Sequence, residues 1–294
     1  MKFRIMHVAA KLIFVLLLYT LPWSLFAQNY RLISYETSNG LPTNLTKAVV
    51  KDKQGYVWIA TDDGLVRFDG KRFKKIKEGL ASEYNKSIIV TQKGELVVCN
   101  DLGILTIGHS SGDDVQIKTM IPGSTDANDP QRVHYPKGLF EDKQGNWWIS
   151  EPTSILRRSV ENKMHRYPFP KKFHTNSFVR SFSFAELDGR LWAISYTGHL
   201  LRLDPQKNVF EEVPLPKGVS LNGASAILAI DQQTLWVGCS TGIISLSLPE
   251  EGIVSADYLF EVPNVSVLTK VNDKVFVGTW GKQLYEINKG EQPN

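Results

Sequence analysis

Seven polar or aromatic residues stand in short loops that follow apolar segments spread along the whole chain. They are Asp62, Asp63, Asn100, Asp101, Glu151, Tyr196 and Trp280. Carboxylates and amides pair with sugar hydroxyl groups, and the faces of Tyr and Trp pack against sugar C–H groups. Trp280 stands where the other loops carry a smaller side chain. If the loops converge, these residues predict a surface that binds a small polar ligand, with an oligosaccharide as the first choice.

Catalytic and metal chemistry find little support in the residue pattern. Asp62 and Asp63 are adjacent in one turn, and such neighbours seldom act as an acid and base across a substrate. The six histidines are scattered, and no Cys/His cluster has metal-ligand spacing. We therefore expect no metal, no cofactor and no enzyme activity. A lyase or hydrolase stays as a lesser alternative, because fold alone does not decide activity.

The charge balance argues against a nucleic-acid partner. The chain of 294 residues has a formal net charge of +4, but Lys2, Arg4 and Lys11 fall in a leading segment without Asp or Glu. The remainder is nearly neutral, so no basic binding surface is predicted.

The first 27 residues have the layout of a secretory signal. A basic start precedes an apolar run over residues 12–21, followed by Pro22 and a small residue, Ala27. We predict a cleaved signal peptide over residues 1–27 and an exported domain over residues 28–294, with an uncleaved membrane anchor as the alternative. Cys99 and Cys239 are predicted to be buried thiols without a disulfide.

A repeated unit organises the rest of the chain. Residues 51–60 recur clearly at 141–150 and more weakly at 91–99, 187–195, 231–239 and 271–279. The matched core positions are Trp58, Val98, Trp148, Trp192, Trp236 and Phe276. A period of roughly 40 to 50 residues with several short strands per unit predicts propeller blades. We expect the four Trp residues and Phe276 to form the blade core, with Trp147 on the opposite face of its strand.

The predicted fold is all-β, a β-propeller of four-stranded blades with about six blades visible. Residues 30–41 are predicted to form an outer strand that completes the last blade of a closed six-bladed ring. The alternative is that the chain is part of a seven-bladed or double propeller. Residues 110–137 form the longest insertion and are predicted to be a loop.

The first repeat resembles the two-component regulator propeller repeat. The resemblance rests on residues 40–44 (Gly-Leu-Pro-Thr-Asn), Asp52, Trp58-Ile-Ala-Thr and Gly64-Leu-Val-Arg-Phe-Asp-Gly. It implies the periplasmic sensor region of a Bacteroides-type hybrid histidine kinase, in which paired seven-bladed propellers commonly precede a membrane span and kinase modules.

That family implies an oligosaccharide ligand and, as partners, downstream sensor-kinase domains or a second copy in a homodimer. The sequence departs from the family layout, because about six repeats occur and no kinase or receiver segment is recognisable. A protein-interaction propeller without a small ligand is therefore the main alternative.

Overall fold

The computed structural model describes residues 33–109, 114–174, 181–248, 255–281 and 283–288. The predicted signal peptide lies outside these residues. The chain divides into two compact units, Met1–Glu36 and Thr37–Asn294. Residues 33–36 of the first unit have no regular structure. The second unit consists of strands and two short 3-10 turns, Thr37–Asn39 and Lys171–Phe173.

Twenty-four strands occur in the described part of the chain, and they form six sheets that follow one another in sequence. We call these sheets blades 1 to 6.
Blade 1 contains β1 (Thr46–Lys51), β2 (Val57–Thr61), β3 (Gly64–Phe68) and β4 (Phe73–Ile76).
Blade 2 contains β5 (Asn85–Val90), β6 (Leu96–Asn100), β7 (Gly103–His109), β8 (Val115–Ser124) and β9 (Val133–His134).
Blade 3 contains β10 (Gly138–Glu141), β11 (Trp147–Ser150), β12 (Ser154–Arg158) and β13 (Met164–Pro168).

The remaining three blades follow the same order.
Blade 4 contains β14 (Phe182–Leu187), β15 (Arg190–Ser195), β16 (Leu200–Asp204) and β17 (Val209–Glu212).
Blade 5 contains β18 (Ala226–Ala229), β19 (Thr234–Gly238), β20 (Ile243–Ser247) and β21 (Ser255–Phe260).
Blade 6 contains β22 (Val265–Val271), β23 (Lys274–Thr279) and β24 (Leu284–Asn288).
The six sheets form a six-blade β-propeller, which confirms the predicted fold class.

The predicted number of four strands holds for blades 1, 3, 4 and 5. Blade 2 has a fifth strand, because β9 pairs in parallel with β8, and blade 6 has three strands among the described residues. The prediction that residues 110–137 form a loop was wrong. These residues contain the ten-residue strand β8, which pairs with β7 along its length, and the short strand β9.

The predicted outer strand over residues 30–41 is not formed in its described part. Residues 33–36 are irregular, and Thr37–Asn39 makes a 3-10 turn. Asn44 Oδ1 accepts a hydrogen bond from the Thr37 amide, and Gly40 has a positive φ of 94°. These local bonds compete with an extended strand, which explains why the strand prediction failed here.

Hydrophobic side chains join each blade to the next one. Five buried clusters lie between blades 1 and 2, 2 and 3, 3 and 4, 4 and 5, and 5 and 6. A sixth, small cluster of Leu41, Ile59 and Val66 lies on the opposite face of blade 1. Among the described residues, no buried cluster joins blade 6 to blade 1. The buried apolar contacts between blades therefore join blades that follow one another in sequence, as far as the described residues show.

The tryptophans of the second strands lie at these blade interfaces, as predicted. Trp58, Trp148 and Trp192 are buried, whereas Trp236 and Phe276 are partly exposed. Trp147 contacts the cluster shared with blade 2, and Trp148 contacts the cluster shared with blade 4. The two adjacent indoles thus lie on opposite faces of one strand, as a pleated strand requires.

The predicted blade 2 equivalent, Val98, was wrong by one residue. Val97 pairs with Ile89 as Trp58 pairs with Val50, and Val97 contacts the cluster shared with the following blade. Val98 contacts the cluster shared with blade 1. A shift of one residue moves a strand side chain to the other face, and the missing aromatic residue left this register unmarked in the sequence.

An aspartate in the first turn explains the spacing of the strongest repeats. The Asp52 carboxylate accepts a 2.9 Å hydrogen bond from the Tyr56 amide and a 2.7 Å bond from Trp58 Nε1. Asp142 repeats both bonds, with the Asn146 amide at 2.8 Å and Trp148 Nε1 at 2.7 Å. One side chain therefore closes the turn and satisfies the buried indole N–H.

The glycine that begins the third strand of blade 1 stands where there is no room for a side chain. Gly64 has a φ of 95°, and a Cβ there would lie 2.9 Å from the carbonyl oxygen of Ile76 on β4. A side chain at this position would collide with backbone as well as adopt a rare conformation. The recurring glycine lets the loop after the second strand pass close to the fourth strand.

Both cysteines are buried, and they belong to different clusters. Cys99 lies between blades 2 and 3, and Cys239 lies between blades 4 and 5. No disulfide joins them, which confirms the prediction of two buried thiols.

Candidate functional site

The loops between the second and third strands lie at one end of the blades, and we call this end the loop end. The segment that enters each new blade contacts these loops through backbone hydrogen bonds. Gly64 N donates to Glu83 O, and Asp101 N donates to Tyr84 O on the same connecting segment. The pattern repeats later, where Trp280 N donates to Asn264 O. The fold therefore brings the predicted loop residues of successive blades to a shared end.

Six residues occupy equivalent places in these loops, one or two positions after the second strand of each blade. They are Asp62, Asp101, Glu151, Tyr196, Ser240 and Trp280. The first three are acidic and the last three are neutral. The loop end is therefore divided into an acidic half on blades 1 to 3 and a neutral half on blades 4 to 6.

Three lysines accompany the acidic half, and sequence reasoning missed them. Each lies beside the first residue of the first strand in its blade: Lys47, Lys86 and Lys137. The corresponding positions in blades 4 to 6 hold serines: Ser181, Ser225 and Ser266. In the sequence, each of the three lysines stands just before or at the start of an apolar strand. Only the pairing register of the strands shows that the three lysines lie at the same end of the blades.

Ion contacts connect these groups into what we call the lysine–aspartate cluster, which consists of Lys47, Lys86, Lys137, Asp62 and Asp101. The N–O distance is 3.0 Å for Lys47 and Asp62, 3.8 Å for Lys86 and Asp62, 3.6 Å for Lys86 and Asp101, and 3.9 Å for Lys137 and Asp101. Most of these contacts are longer than hydrogen bonds. The cluster holds three positive and two negative groups in loose contact.

Several polar atoms in and beside this cluster have no hydrogen-bond partner. They are Oδ1 of Asp62, Oδ1 of Asp101 and Oδ1 of Asn85, the residue directly before Lys86. Asn85 is fully buried, and the side chain of Lys137 is only 7% exposed. Burial lowers the pKa of Lys137, although the nearby Asp101 carboxylate opposes that effect.

Asp63 lies beside this cluster and is already paired. Its carboxylate accepts hydrogen bonds from Lys75 and contacts Lys77 at 2.7 Å. Hydrogen bonds from these two lysines lower the pKa of Asp63 to about 2, and the side chain is partly exposed to solvent. Asp63 is therefore a stably ionised carboxylate at the edge of the loop end.

Glu151 and Asn100 have structural partners. Glu151 is fully buried, and Arg166 Nε donates to it at 2.8 Å while the His134 amide donates at 2.7 Å. Asn100 is also buried, accepts from the Leu102 amide and donates to Ser82 O. Both predicted ligand contacts are thus occupied by the protein itself. Their burial weighs against direct ligand contact, and Glu151 instead holds the segment before blade 3.

Tyr196 and Trp280 represent the neutral half. Tyr196 is half-buried, and its backbone binds the Ser181 carbonyl and the Gly223 amide. Trp280 is 74% exposed, the largest exposed fraction among the large hydrophobic residues of the described chain. An indole that is largely exposed in a loop can stack on a flat apolar surface of a ligand.

Among the described residues, no group of three or more His, Cys, Asp or Glu side chains could hold a metal ion. The same residues contain no helix of the length and apolarity that crossing a membrane requires.

These features define a class, a β-propeller with a polar, mixed-charge loop end. Residues 40–63 match the family model described as two component regulator propeller. This match confirms the resemblance found in the first repeat, and it covers the segment that carries Asp52, Trp58 and Asp62. No curated protein matches the chain.

Solved structures of similar fold include two described as extracellular domains of hybrid two component systems from B. thetaiotaomicron. They are each 16% identical, with TM-scores of 0.68 and 0.66, and the match covers 90% of this chain. It covers only 36% and 34% of those chains, so this chain spans about a third of their length. Virginiamycin B lyase from Staphylococcus aureus is 16% identical at a TM-score of 0.63, with 87% of this chain and 85% of the lyase covered.

Proposed function

We propose that this chain is an exported, ligand-sensing propeller module of a two-component signalling system, and that it recognises an oligosaccharide at its loop end. The observation that carries the proposal is the combination of an exposed indole, Trp280, with buried acceptor atoms that lack partners, Oδ1 of Asp62 and Asp101. Sugars offer apolar ring faces and hydroxyl donors, which are the complementary groups.

The comparisons support the signalling context. The matched family model and the folds of two extracellular sensor domains both associate this architecture with two-component systems. An extracellular or periplasmic location is part of the proposal, and the same context and the predicted signal peptide support it. Downstream kinase domains or a second copy of the chain would receive the signal, provided that the ligand binds one arrangement of the propeller more tightly than another.

Isothermal titration calorimetry of the purified chain against a panel of neutral and acidic oligosaccharides tests this function. We expect at least one glycan to bind, and we expect Trp280→Ala to weaken that binding by about tenfold, or about 1.4 kcal/mol. Tyr258→Ala is the matched control, because Tyr258 is a 52% exposed aromatic residue within the outer strand β21 rather than in a loop. Absence of binding across the panel would contradict the proposal and would favour a protein-interaction propeller.

A lyase is the second candidate, favoured by the similarity to virginiamycin B lyase over most of both chains. Chromatography of the same glycan mixtures after incubation with the chain separates the two candidates. A sensor leaves the glycans intact, whereas a lyase converts them into shorter, unsaturated products.

A further inference from the structure

The lysine–aspartate cluster contains more hydrogen-bonding capacity than the protein uses. Three of its four ion contacts measure 3.6 to 3.9 Å, beyond hydrogen-bond length. Buried polar groups normally have hydrogen-bond partners, and a buried group without one destabilises the folded state. Unpaired atoms on separate blades therefore indicate that an additional polar molecule completes the cluster.

Lys137 is the most deeply buried lysine of the cluster. Its side chain is 7% exposed, and its contact with Asp101 Oδ1 is 3.9 Å long. Asp101 is shared with Lys86 at 3.6 Å, so one carboxylate faces two ammonium groups. A buried cation that lacks a close counter-charge favours an anion beside it.

Acceptor atoms in the same cluster require a donor as well. Oδ1 of Asp62, Asp101 and Asn85 are buried and have no hydrogen-bond partner, because the lysine contacts of the two carboxylate oxygens are 3.8 and 3.9 Å long. A carboxylate oxygen can only accept a hydrogen bond. A simple anion would satisfy Lys137 but would leave these acceptors without partners. The complementary ligand therefore carries a negative group and several hydroxyl donors close together.

In the neutral half of the loop end, serines at the starts of the blades are hydrogen-bonded within the protein. Ser225 Oγ donates to Val265 O, and Ser266 Oγ donates to Gly278 O at 3.1 Å. These side chains at the starts of blades 5 and 6 bind backbone carbonyls of the protein. The lysines at the starts of blades 1 to 3 extend into the loop end instead, where their partners are other side chains.

We propose that the lysine–aspartate cluster binds the acidic unit of a uronic-acid oligosaccharide. Lys86 and Lys137 hold the sugar carboxylate, and the adjoining hydroxyl groups donate to Asp62 and Asp101. This inference rests on the proposed function and narrows its ligand class to acidic glycans. Specificity follows because a neutral glycan leaves the buried Lys137 ammonium with only its 3.9 Å contact to Asp101.

Calorimetry with matched probes tests the ligand class. The acidic probes are tetrasaccharides of galacturonate, mannuronate and hyaluronan, and the neutral probes are cellotetraose, mannotetraose and fully methyl-esterified tetragalacturonate. We expect an acidic probe to bind and its uncharged counterpart to bind at least about tenfold more weakly. The affinity should also fall as salt concentration rises, because part of it is ionic.

Two variants locate the binding. Lys137→Met removes the buried ammonium while keeping an apolar stem, and we expect it to reduce affinity for the acidic probe by about tenfold or more. Lys118→Met is the control, because Lys118 is an exposed lysine on the outer strand β8. Circular dichroism melting of both variants checks that each remains folded. A folded Lys137→Met variant with unchanged affinity for the acidic probe would overturn the proposed site.

The outcomes separate this inference from the proposed function. Binding restricted to neutral glycans would overturn the acidic ligand class and leave oligosaccharide sensing intact. Failure of every glycan to bind would overturn both. Binding of an acidic probe that is lost in Lys137→Met and retained in Lys118→Met would support both.

Discussion

The Trp of the second strand is held by different contacts in blades 1 and 3 than in blades 4 and 5. In blades 1 and 3 a buried Trp is tied to an Asp of the preceding turn by a 2.7 Å hydrogen bond. In blade 4 the buried Trp192 has an indole nitrogen without a hydrogen-bond partner, and the two-residue turn Asp188–Gly189 supplies none. In blade 5 Trp236 is partly exposed.

The residue opposite the Trp on the third strand also differs between the blades. The Trp of blades 1, 3 and 4 lies opposite an Arg of the third strand: Arg67, Arg157 and Arg202. The Arg157 and Arg202 guanidinium groups lie 5.7 and 5.8 Å from the Trp148 and Trp192 ring centres. In blade 5 the residue opposite Trp236 is Ser245. The polar contacts of this Trp are therefore fewer in blade 4 than in blades 1 and 3, and fewer again in blade 5. Its apolar packing is kept in all four blades.

The largest expected difference comes from deleting the indole in blade 1 and in blade 5. Trp58→Ala should destabilise the fold by about 3–5 kcal/mol, because the side chain is fully buried and tied to Asp52. Trp236→Ala should cost clearly less, because its ring is partly exposed. Urea unfolding followed by far-UV circular dichroism measures both free energies of unfolding. Equal losses would show that the two blades do not differ energetically.

A subtler substitution isolates the hydrogen bond. Trp58→Phe leaves Asp52 Oδ2 without its indole donor and should cost about 1–3 kcal/mol beyond the change in packing. Trp192→Phe removes a buried N–H that has no partner, so its cost should be limited to packing. The same urea experiment compares them. If Trp192→Phe proved the more damaging variant, the hydrogen bond in blade 1 would not be the distinguishing feature.

The smallest expected effect is electrostatic and belongs to the charged loop of blade 1. The pKa of Asp63 is lowered to about 2, and hydrogen bonds from Lys75 and Lys77 are its largest causes. A carboxyl group whose pKa is lower in the folded state adds stability above its unfolded pKa of about 3.9, and this stability is lost as pH falls through about 2.

The measurement is an NMR titration of side-chain carboxyl carbons in the wild-type chain and in Lys77→Met. We expect the pKa of Asp63 to rise toward the model-peptide value in the variant. The pKa of Asp69, lowered by the Arg72 and Lys71 backbone amides, should not change and serves as the control. An unchanged Asp63 pKa in the variant would exclude Lys77 as a cause.

The sequence was sufficient for the fold because apolar strands, Gly-containing turns and the Trp recur with a regular period. It was insufficient where the repeat lost its marker residue. In blade 2 a valine replaces the Trp, and Val98 was chosen although Val97 has the equivalent position. The strand β8 was missed because residues 110–137 share no motif with the other outer strands.

The candidate site was only partly visible for a different reason. Loop positions can be read from a repeat, so Asp62, Asp101 and Trp280 were identified. The partners of those residues come from other blades, and pairing register determines them. Lys137, Asn85 and Arg166 carry no local motif, and their roles arise from burial and from contacts across as many as 37 residues of sequence, as in the bond from Arg166 Nη1 to the Asp129 carbonyl.

Among the described residues, buried clusters pack on both faces of blades 2 to 5, whereas blade 6 has three described strands and a buried cluster on one face only. Local opening costs least where few buried apolar contacts hold the backbone. Amide protons of β23 and β24 should accordingly exchange with solvent sooner than those of β11 and β15.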